Sequence, residues 1–311
     1  MGTPDLARVC LERLLNCAVC EVVAAVTQPD RPKGRDLKLQ PSPVKTRALE
    51  ANLSVLQPER ARNTDFIQQL RGLQPELIAV AAFGQILPQS ILDLPQFGCL
   101  NVHTSLLPKY RGAAPIQWSI LNGDTETGVT IMKMDAGMDT GPILAQEQTA
   151  IRPEDTSETL HDRLAGMGAD LLIRTIPDFV AGRIQPRAQP SDGVTYAPKI
   201  KKSDGQIDWK QPATAIWNRV RGLTPWPGAF THLPDQSRGS LIKIWKAEVA
   251  DTAGPPGEIL QADKSGIVVG CRGGALRITA LQREGSRRLS AAEFLAGHPL
   301  GSGQRLRKLE D

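Results

Sequence analysis

The sequence predicts an α/β protein in two parts: a doubly wound, mainly parallel sheet, followed by a small β-barrel. Three observations carry that reading. Near-continuous apolar runs, the mark of strands buried on both faces, alternate with one-faced helical stretches as far as about residue 184. Short, closely spaced β-like runs separated by turn residues take over beyond residue 205. The charge balance turns over between them: residues 1–184 hold 18 Lys and Arg against 21 Asp and Glu, and residues 185–311 hold 19 against 12. A basic second part behind a slightly acidic first one suits a polyanionic partner, although basic surface charge also serves plain solubility.

With 311 residues, 41% hydrophobic and 23% charged, the chain can bury two cores and is too apolar to be disordered. No apolar run reaches membrane-spanning length, and the start lacks the basic-then-apolar pattern of a signal peptide, so a cytoplasmic protein is expected. The five cysteines (10, 17, 20, 99 and 271) form no paired framework. Cys17-Ala-Val-Cys20 stands alone without a second pair, which points to reduced thiols rather than to a metal or redox centre.

Taken in order, residues 6–15 are apolar on one face and predict a helix. Residues 21–27, Glu-Val-Val-Ala-Ala-Val-Thr, read as a buried parallel strand. Residues 28–38 follow with Arg31, Lys33, Arg35 and Lys38 between prolines, a loop that composition alone makes a solvated surface segment. Helices are expected at 44–51 and 65–72. Residues 77–83, Leu-Ile-Ala-Val-Ala-Ala-Phe, form another buried strand, and Gly84-Gln-Ile-Leu-Pro88 leaves its carboxyl end, the usual ligand position in open α/β sheets. There is no G-x-G-x-x-G, so a dinucleotide is not indicated. A strand ends at 99–102, a helix covers 117–121 and a strand covers 128–134. A long helix spans 156–179, with His161 on it as a structural or exposed residue. Residues 185–203 are polar, hold Pro and Gly, and end on Lys199, Lys201 and Lys202. They read as a linker, giving domains at 1–184 and 204–311. Beyond it lie a helix at 213–222 and β-like runs at 228–233, 241–249, 257–260, 266–271 and 275–281.

The chemistry-bearing stretch is 99–142. Asn101 and His103 stand at i and i+2, so an extended chain points both to one face. Asp139 lies in a carboxylate- and glycine-rich loop, Asp135-Ala-Gly-Met-Asp-Thr-Gly141. An Asn amide can donate to a developing oxyanion, and a His can move a proton near neutral pH. A nearby carboxylate can orient the imidazole or take a proton through water. No Ser or Cys nucleophile is required if the substrate brings its own amine. An Asn-x-His pair on a strand is, taken alone, more often a satisfied structural pair.

The longer pattern is more specific. Asn101-Val-His-Thr-Ser-Leu-Leu-Pro-Lys-Tyr-Arg-Gly-Ala-Ala-Pro-Ile-Gln-Trp118, with 123–131 and Met134-Asp-Ala-Gly-Met-Asp-Thr-Gly141, resembles the formyltetrahydrofolate-dependent formyltransferases. The likeness extends, more loosely, to Leu223-Thr-Pro-Trp-Pro-Gly228 and Leu289-Ser-Ala-Ala-Glu-Phe-Leu295. The resemblance implies a Rossmann-like catalytic domain and an OB-like barrel that binds tRNA. It implies Asn101, His103 and Asp139 as catalytic residues, and 10-formyltetrahydrofolate as formyl donor with no metal. It places the folate along Ser105, Leu106, Leu107 and Pro108 and against Gln85, Ile86 and Leu87. The tRNA-acting members carry a basic loop at 28–38, which makes Arg31, Lys33, Arg35 and Lys38 candidate contacts to the acceptor end of initiator methionyl-tRNA, with Arg35 foremost. The expected product is formyl-methionyl-tRNA for translation initiation, made by a monomer with no membrane contact. Sugar-nucleotide formyltransferases share the Ser-Leu-Leu-Pro-Lys-Tyr-Arg-Gly run and remain a rival, as does a non-catalytic tRNA- or folate-binding module. The fuller match at Thr27–Pro32 and Ala114–Gln117 and the basic second part favour tRNA.

Two departures stand out. The residue after the His is usually small in this family, and here it is β-branched Thr104. The family's first turn, matched by Gly2-Thr-Pro-Asp5, normally follows a central apolar strand, and here Met1 directly precedes it. About four buried apolar side chains at roughly 1.5–3 kcal/mol each rival a domain's whole stability, so the native protein is expected to start several residues upstream.

Overall fold

Helix α1 (Asp5–Leu15) forms because its apolar residues fall on one stripe: Leu6, Ala7, Cys10 and Leu11 are buried. The computed structural model describes residues 1–33, 38–234 and 241–308. It divides into two units, the first Met1–Pro115, Glu126–Ala150 and His161–Ala197, the second Ile116–Thr125, Ile151–Leu160 and Pro198–Asp311.

In the first unit, β1 (Ala25–Val26) is buried, and β2 (Arg31–Lys33) pairs antiparallel with β3 (Lys38–Gln40). Helix α2 (Pro43–Glu50) begins where the Ser42 hydroxyl accepts from the Lys45 N–H at 3.0 Å, with Pro43 at the first position, where no N–H is needed. Strand β4 (Val55–Leu56) pairs parallel with β1. Asn63 caps α3 (Thr64–Gly72) by accepting from the Asp65 and Phe66 N–H groups. Next come β5 (Ile78–Val80), α4 (Gln89–Leu92), β6 (Cys99–His103), β7 (Arg111–Gly112) and α5 (Pro115–Leu121). The rest is β8 (Glu126–Lys133), β9 (Ile143–Ala150), α6 (Ser157–Val180) and β10 (Tyr196–Ala197).

Strands β5 and β6 run parallel, with Val80 opposite Asn101, and β6, β8 and β9 continue the sheet antiparallel. The loops after β5 and β6 therefore leave side by side, as the strand–loop reading of 77–88 and 99–108 requires. Strand β9 carries no apolar run in the sequence. Its exposure alternates along Ala145–Ala150, as it does in a strand with one wet face.

Strands β1 and β5 are two and three residues long, against the seven-residue runs at 21–27 and 77–83. Met1 and Gly2 join them: the Met1 amine donates to the Ala79 carbonyl at 2.5 Å, the Ala81 N–H donates to the Met1 carbonyl at 2.9 Å, and the Gly2 N–H donates to the Val26 carbonyl at 2.9 Å. Behind it an apolar cavity of about 470 Å³ is lined by Val22, Val26, Ile78, Val80, Leu172 and Ile176. Each of the two strands has one ladder partner, β4 for β1 and β6 for β5.

The second unit is antiparallel. After α7 (Ala213–Gly222) come β11 (Ala229–His232), β12 (Leu241–Ala250), β13 (Ile259–Asp263), β14 (Gly266–Cys271), β15 (Gly274–Arg283), β16 (Leu289–Ser290) and α8 (Ala291–Gly297). The strand order is β11-β12-β15-β14-β13, with β16 on β15. The strands thus make an open path rather than the closed ring expected from their spacing. The two edges are instead bridged by residues 303–307: Arg307 exchanges both hydrogen bonds with His232, and Leu306 and Gln304 bond Gly257 and Ile259. The core is apolar and close-packed, centred on Phe294, Ile216, Ile244, Ile278 and Leu281, each at most 1% exposed.

The boundary differs from the one read in the sequence. Residues 185–197, expected as linker, belong to the first unit, because Arg187 exchanges hydrogen bonds with Ile143 and β10 pairs parallel with β7. Residues 116–125 and 151–160 fall in the second. There Trp118 donates to the Pro198 carbonyl, Ser157 to that of Thr224, and Arg221 to those of Arg152 and Asp155.

Candidate active site

Strand β6 delivers Asn101 and His103 to one face, as their spacing requires, and the loop after β8 brings Asp139 against them. Asn101 Nδ2 lies 3.5 Å from Asp139 Oδ1, and His103 Nδ1 lies 3.7 Å from Asp139 Oδ2. His103 is 6% exposed and the Asp139 side chain 18%. The trio picked out by sequence is therefore one constellation. Thr104, behind it, is buried.

The backbone around the trio is as specific as the side chains. His103 Nε2 is 2.9 Å from the Tyr110 carbonyl oxygen. A carbonyl only accepts, so Nε2 carries the proton, and Nδ1 is the ring nitrogen left facing Asp139. The Gly112 N–H donates to Asp139 Oδ2 at 2.8 Å. Asp139 and Tyr110 both sit in the left-handed region, at φ +53 and +61, a conformation that Asp tolerates better than most residues. Gly112 has φ +121, and a Cβ there would stand 2.7 Å from the Ala197 carbonyl oxygen, so only glycine fits. The Tyr110 N–H in turn donates to Thr195 Oγ1 at 2.8 Å, and the Arg111 N–H to the Thr195 carbonyl.

The Ser105–Pro108 segment is held from beneath. Thr130 Oγ1 donates to the Ser105 carbonyl at 2.7 Å and accepts from the Leu107 N–H at 3.1 Å and Gln146 Nε2 at 3.0 Å. Gln146 also donates to the Leu107 carbonyl, and Ser105 Oγ to that of Lys109. Ser105 and Leu107 are buried, while Leu106 and Pro108 are half-buried. In the loop after β5, Gln85 spends its amide on the backbone, accepting from the Ala61 N–H and donating to the Pro58 carbonyl. Leu87 is buried in the core, and Ile86 is 90% exposed. Of these three, Ile86 alone has a largely exposed side chain.

The basic hairpin is fixed at its base. Lys45 Nζ donates to Asp30 Oδ2 at 2.7 Å and Gln57 to Oδ1 at 2.8 Å, and the hydrogen bond from Lys45 holds the Asp30 carboxyl below its ordinary range. Arg31 and Lys38 are exposed on its two strands, Arg31 3.9 Å from Glu59. Lys33 lies on β2 and its side chain is outside the description, as are residues 34–37 with Arg35. Among the described residues, no group of three or more His, Cys, Asp and Glu is placed to hold a metal, and no helix is long and apolar enough to cross a membrane.

Sequence reasoning did not single out Gly112, the Tyr110 carbonyl, Thr130, Gln146, Gln189 or Thr195. Tyr110, Gly112 and Thr130 were inside the matched runs, Gln146 lies on a strand with no apolar run, and Gln189 and Thr195 lie in a stretch that reads as linker.

Residues 1–176 match the formyl transferase family model, and residues 199–299 match that of the formyl transferase C-terminal domain. The methionyl-tRNA formyltransferase of Geobacter metallireducens is 51% identical over 306 residues, 98% of this chain and 97% of its own. That of Caldanaerobacter subterraneus is 49% identical over 97% of both chains. Among solved structures, the sugar 3N-formyltransferase WlaRD, crystallised with dTDP and 5-N-formyl-THF, superposes with a TM-score of 0.66 over 92% of this chain and 97% of its own, at 20% identity. HypX from Aquifex aeolicus with tetrahydrofolic acid gives 0.59 over 82% and 44%. At such identities these two share the fold. The full-length identities and both family models lead to one conclusion: the chain belongs to the formyl transferase family.

Proposed function

We propose that the protein transfers the formyl group of 10-formyltetrahydrofolate to the α-amino group of methionine on initiator methionyl-tRNA, acting as a cytoplasmic monomer without a membrane or a metal. The observation that carries the reading is the close grouping of Asn101, His103 and Asp139 at the end of β6, in a chain about half identical to methionyl-tRNA formyltransferases along its full length.

The chemistry follows from which atoms are free. The folate lies along Ser105–Pro108 and Ile86, its formyl carbon facing Asn101. The neutral amine attacks that carbon, forming the new C–N bond and moving the carbonyl π electrons onto oxygen. Asn101 Nδ2 donates to the oxyanion. With Nε2–H held by Tyr110, the free position Nδ1 of His103 exchanges the proton, beside the Asp139 carboxylate that steadies the imidazolium. Collapse restores the carbonyl, breaks the bond to folate N10 and delivers the amine's proton to that nitrogen. Arg31, Lys33, Arg35 and Lys38 hold the acceptor end through its phosphates.

The test is acceptor choice. Labelled 10-formyltetrahydrofolate is offered with methionyl-initiator tRNA, with free methionine, and with a dTDP-linked amino sugar. Transfer to the aminoacylated tRNA alone is expected. Transfer to the sugar with none to tRNA would overturn the reading, and sedimentation as anything but a 33.7 kDa species would overturn the monomer.

A further inference from the structure

Gln189 lies in the stretch whose composition reads as linker, yet its side chain joins the two loops that build the site. Its Nε2 donates to the carbonyl of Asp139 at 2.8 Å and to that of Gly141 at 2.8 Å. Its Oε1 accepts from Arg111 Nε at 3.1 Å and Nη2 at 2.8 Å. The orientation of the amide is fixed by its partners, since carbonyls only accept and a guanidinium only donates. Both amide hydrogens and the oxygen are thus in use, on a half-buried side chain.

We propose that Gln189 is a positioning residue for the transfer, a clamp that sets the Asp139 carboxylate against His103 and Gly112. Asp139 is in the left-handed region, which an unrestrained Asp leaves readily. The two carbonyls that Gln189 holds flank the Asp139–Gly141 turn, so releasing them frees the turn. The same amide holds Arg111, the neighbour of Gly112, whose N–H binds Asp139 Oδ2. One side chain thereby ties the carboxylate's loop to the loop that supplies its hydrogen-bond donor. Gln189 touches neither Asn101 nor His103 through any hydrogen bond found, so it acts through Asp139. The inference rests on the reading of Asp139 as part of the transfer site.

Gln189→Ala and Gln189→Glu, made in the full chain, test it with two readouts. Glu keeps an acceptor for Arg111 but has no hydrogen for the two carbonyls. The first readout needs no turnover: the amide signal of Gly112 in ¹⁵N NMR spectra, which senses the carboxylate it binds. It should move upfield in both variants. The second is steady-state transfer, where kcat should fall about 10- to 100-fold in both, with the KM for the folate donor within about twofold of wild type. An unmoved Gly112 signal overturns the clamp. So does a moved signal with unchanged kcat in an active protein, or a wild-type-like Gln189→Glu beside an impaired Gln189→Ala. If the wild-type chain transfers nothing while the Gly112 signal moves in both variants, the clamp stands and the transfer reading falls.

Discussion

Asp139 uses its two carboxylate oxygens differently. Oδ1 faces Asn101, while Oδ2 takes the Gly112 N–H and faces His103 Nδ1. Asp139→Ala and Asn101→Ala should each lower kcat by about 10²- to 10⁴-fold while shifting stability by no more than about 1 kcal/mol. Steady-state kinetics beside thermal melts will check both. Gly112→Ala places a Cβ against the Ala197 carbonyl in a conformation closed to alanine, so β7 and β10 must part. Its Tm and kcat are expected to fall together, and a variant with either one preserved would show that the pairing is dispensable. Asn101, His103 and Asp139 were legible because each interrupts an apolar or glycine-rich pattern with a group that can donate or transfer a proton. The Tyr110 carbonyl and the Gly112 N–H were not, because backbone atoms leave no mark in the residue type. Gln189 was hidden by its neighbours, whose prolines and polar residues read as linker.

At the scale of elements, α1, α2, α3, α5, α6 and α7 were legible from the sequence, while the short α4 and α8 were not. Ser42 and Asn63 both stand one residue before their helices. Strands β1 and β5 were legible in type but not in length, because their extent depends on a ladder partner rather than on their own residues. Strand β9 escaped notice because only its first two residues are buried apolar ones. The basic hairpin is tied to the first unit at its base. Asp30, Lys45 and Gln57 hold its root through short hydrogen bonds, and Arg31 and Lys38 are exposed on its strands. Arg35→Ala should raise the KM for tRNA and reduce the salt slope of that KM by about one, leaving the KM for the folate donor unchanged. Equal tRNA kinetics across a salt titration would remove Arg35 from the interface.

At the scale of the whole molecule, each unit stands on its own core. Phe294 is fully buried among the apolar residues of the second unit, so Phe294→Ala should cost about 3–5 kcal/mol, read as a drop in denaturation midpoint. The same unit carries a pH dependence. Burial holds His232 below its ordinary value of 6.5, and its Nδ1 has no hydrogen-bond partner among the described residues. The unfolded chain therefore takes up that proton first as the pH falls, and stability should decline from 6.5 downward through the lowered folded value. His232→Phe should flatten that part of the Tm–pH curve, whereas an unaltered curve would assign the decline elsewhere. The division into two units was legible from the charge and the strand spacing. Its boundary was not, because the segments at 116–125 and 151–160 are placed by long-range hydrogen bonds. We propose that Asn101, His103 and Asp139 together move a formyl group onto aminoacylated tRNA. The most direct test is single-turnover transfer from 10-formyltetrahydrofolate to methionyl-initiator tRNA by the full chain, run beside Asn101→Ala and Asp139→Ala. Rapid transfer by the full chain, with both variants slowed by orders of magnitude, is the predicted result. A folded full chain that transfers nothing, or variants that keep pace with it, would contradict the account.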